Sequence, residues 1–105
     1  MSPEVYASAH PWVHPNLSKL LRQECPCLHL FGVDTISIAS TAYGAEAAAA
    51  HRLFLCESPP IFVMKDVDLS YGRLTECSWV LRLYPILFDD LDGVPVIALA
   101  EIREP

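Results

Sequence analysis

Hydrophobic positions recur along this chain with helical spacing in two stretches and with strand spacing in five. Leu17, Leu20 and Leu21 share one face of a predicted short helix over 17–24, which Asn16 caps and Pro26 stops. Residues 42–55 predict the main helix. They hold six alanines, with Glu46 near the positive end of the helix dipole and Arg52 near the negative end. Ser40 or Thr41 is its expected cap, and Gly44, Ala47 and Ala48 form a small face suited to close approach to a sheet. Strand-like alternation marks 27–31, 35–39, 61–65, 74–84 and 94–102. Asp92-Gly93 is a turn signal because both residues tolerate positive φ, so the last two strands are expected to pair antiparallel. Pro85 and Pro95 cannot donate ladder hydrogen bonds and belong near strand ends, at bulges or on an edge.

The expected fold is therefore α+β. A mainly antiparallel sheet of four or five strands carries the helix over 42–55 and the short N-terminal helix on one face. No repeat or linker divides the chain, which predicts a single domain over 1–105. Pro3, Pro11 and Pro15 predict an irregular arm over 1–15, docked through Trp12 and Val13. In the last strand Val94, Val96, Ala98, Ala100 and Ile102 fall on one side, while Ile97 and Leu99 fall on the other. Apolar residues on both sides imply that both sides are at least partly covered, and two helices cannot cover two faces. A second chain is the expected cover, with a homodimer as its simplest form.

Composition sharpens this. Hydrophobic residues make up 52% of the 105 residues and charged ones 19%, against about 45–50% and 25% in ordinary soluble domains. Disorder is thereby excluded. The net charge is −6, and the acids gather late: after residue 52 nine of them oppose only Lys65, Arg73, Arg82 and Arg103. Without a cluster of basic residues, nucleic acid is not an expected partner, whereas a basic protein surface is. No apolar run reaches bilayer length, and the start, Met1-Ser-Pro-Glu4, lacks a basic leader. A cytoplasmic location with reduced Cys25, Cys27, Cys56 and Cys77 is the expectation.

Few residues point to chemistry. Cys25, Cys27 and His29 would fall on one side of an extended chain and form a weak zinc or thiol candidate, with packing as the blander account. His51 in the main helix is read as hydrogen-bonded rather than as a general base. Asp66 and Asp68 would alternate on one strand face but have no positioned partner. A calcium loop through Asp90, Asp92 and Gly93 fails, because its first position would be Phe88 and its twelfth Leu99. Phosphate-cradling, dinucleotide, nucleophile-elbow and zinc-protease motifs are all missing.

What remains is a small acidic protein-binding domain, such as an inhibitor, immunity-type protein, antitoxin or adaptor. It needs no cofactor and leans away from catalysis. Tyr71 and Arg73 have the composition of an interface hot spot, and Asp89, Asp90 and Asp92 supply an acidic rim. The rival reading is a dimeric α+β barrel holding a small apolar ligand against the second face of its sheet.

Overall fold

The computed structural model describes residues 2–103. The chain divides into two compact units, Met1–Asp68 and Leu69–Pro105. The first unit holds helices α1 (Pro3–Ala9), α2 (Asn16–Glu24) and α3 (Gly44–Leu55) with strands β1 (Leu30–Gly32) and β2 (Phe62–Met64). The second holds a 3₁₀ turn, Gly72–Thr75, and strands β3 (Trp79–Pro85) and β4 (Val96–Ile102).

A four- or five-stranded antiparallel sheet does not form. Instead β1 pairs with β2 in parallel, and β3 pairs with β4 antiparallel, as two separate two-stranded sheets. Residues 35–39 explain part of the difference. Thr35 donates its hydroxyl to the Ser37 carbonyl at 2.8 Å, and the Ser37 hydroxyl accepts the Ala39 amide at 3.1 Å. These side chains satisfy the backbone locally, so alternation there builds no strand. The long run over 74–84 also breaks: its start is the 3₁₀ turn, and only Trp79–Pro85 extends.

The arm expected over 1–15 is partly helical. Ser2 accepts the Val5 amide at 3.3 Å, and Pro3 stands in the first turn, where a missing amide costs nothing and a fixed φ helps. Only from Pro11 to His14 is the chain irregular; Pro15, at φ −53° and ψ −33°, already stands at the cap of α2. There Val13 bonds the Ile38 carbonyl at 2.7 Å, and Trp12 stacks on Tyr43 with ring centroids 4.7 Å apart.

The core of the first unit is Ile38, Ala50, Phe54 and Ile61, all essentially inaccessible, with Phe31 stacked on Phe54 at 5.2 Å. Ala50 and Phe54 lie one turn apart on α3, so this pair faces inward, while Gly44 and Ala48 stay exposed. The helix begins with Tyr43 at its cap position and no side-chain cap bond; Ser40 instead bonds the Ala42 amide at 3.2 Å.

Helix α2 turns a mixed face inward: Leu21 packs against the core and Ser18 is buried, while Leu20 is left out. Leu20 is 52% exposed whereas Ser18 is 1% exposed. The cause is the C-terminal end of α3, whose last carbonyls have no intrahelical donor. Ser18 donates to the Leu53 carbonyl at 2.9 Å, and the Arg22 guanidinium donates to Leu53 at 2.7 Å and Phe54 at 3.2 Å. Arg22 also donates to the Pro59 carbonyl and to Ser18 Oγ. A cation at the negative end of a helix gains from its dipole as well. Ser18→Ala is expected to lower stability by about 1–2 kcal/mol, measurable as a reduced urea midpoint at unchanged slope.

Candidate protein-binding surface

Unit two is built from a hairpin. Its pairs run from Trp79↔Ile102 to Pro85↔Val96, and Ile86 N–H adds a bond to the Pro95 carbonyl at 2.9 Å. Hydrogen-bonded and non-bonded pairs alternate in an antiparallel ladder. The 86/95 bond therefore makes 84/97, 82/99 and 80/101 bonded pairs, and leaves 85/96, 83/98, 81/100 and 79/102 unbonded. Pro85 thus sits where its missing amide would point away from β4, and it costs the hairpin nothing.

The two strands expose two different faces. Trp79, Leu81 and Leu83 stand with Ile102, Ala100 and Ala98, while Val80, Arg82 and Tyr84 stand with Glu101, Leu99 and Ile97. The 3₁₀ turn closes one end of the hairpin: Trp79 Nε1–H donates to the Leu74 carbonyl at 3.0 Å, and the Cys77 thiol lies 3.4 Å from the Arg73 carbonyl. On the second face Arg82 grips Glu101 at 2.7 Å, a solvent-exposed pair worth little to stability. No described residue of 69–103 is buried.

The connection over 86–95 carries the densest exposed apolar group of this unit. Leu87 is 82% exposed, Leu91 57%, Phe88 56% and Ile86 48%. Asp89, Asp90 and Asp92 are interleaved with them, all exposed. The backbone turns at Asp90, with φ 60°, and no glycine takes positive φ, so Asp92-Gly93 is not the tight hairpin turn that the dipeptide predicts.

The sequence-predicted residues do not form one site. Tyr71 is exposed at the cap of the 3₁₀ turn, with Arg73 half-buried inside it. Both precede the Trp79 end of β3, whereas Asp89, Asp90 and Asp92 follow its Pro85 end. Seven strand residues span about 23 Å, so these are two separate places. Sequence reasoning named the acids and missed Ile86, Leu87, Phe88 and Leu91 between and beside them. The available signal was Pro85 with the run of large apolar residues that follows it.

In the first unit Cys25 closes α2, Cys27 lies in the following turn and His29 precedes β1; all three are exposed. Among the described residues no three His, Cys, Asp or Glu side chains gather as metal ligands would. His51 sits with Nδ1 2.9 Å from the Ala47 carbonyl and Nε2 3.4 Å from Lys65 Nζ, an arrangement that occupies both ring nitrogens. Asp66 adopts φ 58° in a turn after β2, so it does not share a strand face with Asp68.

Two of the open clefts lie in the first unit. One of about 380 Å³ is lined by Ala49, Arg52, Leu53, Cys56 and Glu57. The other, about 260 Å³, runs past Arg22, Cys25 and Pro59. Arg22 is already engaged there by four protein oxygens. The barrel reading needed one broad sheet as a pocket wall, and the two two-stranded sheets do not supply it. Among the described residues no helix is long and apolar enough to cross a membrane.

Comparison of the chain with known proteins finds no matching family model, no matching curated protein and no matching solved structure.

Proposed function

We propose that this protein is a non-enzymatic protein-binding domain, of the inhibitor, immunity, antitoxin or adaptor kind, that acts by occupying a partner's surface with its hairpin loop. The observation that carries this reading is the loop itself. Four large apolar side chains stand about half or more exposed around three carboxylates. Exposed apolar groups ringed by polar ones are the anatomy of a binding patch. The matching partner has a shallow apolar cleft with lysines or arginines at its rim. Apolar contact supplies affinity, and the carboxylates speed encounter and fix orientation.

The test is affinity capture from extract of the source cells, quantified by mass spectrometry. It compares wild type with Asp89→Lys/Asp90→Lys/Asp92→Lys and with Leu87→Ser/Phe88→Ser. A basic protein retained by wild type is expected to drop at least tenfold with either variant, a loss of about 1.4 kcal/mol or more, while circular dichroism stays unchanged. The acidic-loop variant should also flatten the salt dependence of association. Identical capture by all three proteins would refute the reading.

A further inference from the structure

Strand β4 has one unpaired edge of unusual character. From the ladder alternation, the amides and carbonyls of Val96, Ala98, Ala100 and Ile102 point away from β3. Among the described residues no backbone group accepts or donates to them, and β4 pairs with no strand other than β3. Exposed edges are commonly guarded by lysine, proline, a bulge or an inward charge. The edge of β3 has such a guard in Pro85. Between Val96 and Ile102 there is none: five apolar residues run without interruption, and the single charge, Glu101, is already held by Arg82.

We propose that this edge pairs antiparallel with the same edge of a second copy of the chain, about a two-fold axis at Leu99. Strand chemistry selects the occupant, because alternating outward amides and carbonyls are satisfied in full only by another strand. The register is self-complementary. An axis at Leu99 uses all seven residues of β4: Val96 meets Ile102 of the second copy, Ala98 meets Ala100, and Leu99 meets Leu99. Charge agrees with it. Glu101 then faces Ile97 of the second copy, whereas an axis at Glu101 itself would oppose two carboxylates and a parallel pairing would bring them side by side. The contact is isologous and closes at two copies, and Pro85 guards the outer strand of the resulting four-stranded sheet against further addition. The two acidic loops would project from opposite ends of that sheet, so each dimer presents the binding loop twice. The pairing strip is about 24 Å long, a small contact beside the roughly 800 Å² per partner of a standard interface, so a weak, concentration-dependent dimer is expected.

Sedimentation equilibrium up to about 200 µM is the experiment, run on wild type and on Ala98→Pro. Position 98 donates only outward, so proline there removes an edge hydrogen bond and leaves the β3–β4 ladder bonds in place. Wild type is expected to reach twice the monomer mass of 11.7 kDa, and Ala98→Pro to weaken association at least tenfold with an unchanged circular dichroism spectrum. Should Ala98→Pro unfold, Leu99→Cys decides in a chain whose native cysteines are changed to serine. The non-bonded pair at the axis brings two such residues within disulfide reach, so oxidation should link the dimer, while Val80→Cys should not link. Wild type that stays monomeric throughout the range, as it would with the edge covered by residues of its own chain or reserved for a different protein, overturns the proposal. So does a dimer indifferent to Ala98→Pro, or one that Leu99→Cys fails to link. The loop variants above leave this edge intact, so loss of partner capture and loss of dimer are separate results.

Discussion

Phe54→Ala is expected to cost about 3–5 kcal/mol, the range for deleting a buried aromatic ring. The ring is fully inaccessible, stacks on Phe31 and forms the core with Ile38, Ala50 and Ile61. Its removal takes away the transfer energy of the ring and leaves a void beneath α3 that the short β1–β2 pair cannot collapse to fill. On the usual per-residue scale a unit of this size holds only about 3–10 kcal/mol in total, so the substitution should leave it marginal or unfolded. Phe54→Leu keeps more of the volume and should cost less than half as much. Urea denaturation followed by Trp12 fluorescence, with Trp79 changed to Phe, reads the loss in the unit that contains it. A shift smaller than 1 kcal/mol would mean the packing described for α3 is wrong.

Arg22→Ala should follow at about 2–3 kcal/mol, which is less than its hydrogen bonds would sum to because each is partly replaced by water. The guanidinium fork ties α2 to the carbonyls of Leu53, Phe54 and Pro59. Truncation removes the donors of three carbonyls at and after the end of α3. Lysine keeps the charge at the helix terminus but not the planar fork, so Arg22→Lys should recover part of the loss and not all of it. Ser18 shares both the Leu53 carbonyl and the Arg22 guanidinium, so the double substitution with Ser18→Ala should cost less than the two singly measured losses together. Additive losses would show that the two side chains act independently.

The local rules written in the residues were legible where the determining interactions are close in sequence. Alanine content and end charges placed α3 over Gly44–Leu55 against an expected 42–55, and alternation placed β2 and β4 within their predicted runs. The antiparallel pairing of the last two strands was also legible, although through a ten-residue connection rather than the expected turn. The misreadings lie where distant groups compete. The leucines of α2 predicted the inward face only in part: Leu21 packs on the core, but Leu20 is exposed, because Ser18 and Arg22 are held by carbonyls more than thirty residues away. The alternation of 35–39 predicted a strand, but its serine and threonine bond the backbone locally, and the Thr35 and Ile38 carbonyls accept from Asp66 and Val13. Within the proposed binding loop, Asp89, Asp90 and Asp92 were readable as acids near a turn. Their apolar neighbours were not, since Ile86, Leu87 and Phe88 read as core residues until the structure shows them exposed.

By itself, then, the sequence determined in outline which segments coil and which extend, that the chain is acidic, and that it is richer in apolar residues than an ordinary soluble domain. Tertiary structure alone decided how the strands distribute. It put α3 between β1 and β2 as a parallel crossover and set β3 and β4 apart as a hairpin with no buried residue and an open edge. The physical reason is that strand propensity is a property of a few consecutive residues, whereas strand partnership depends on which backbone groups remain unsatisfied once everything else has packed.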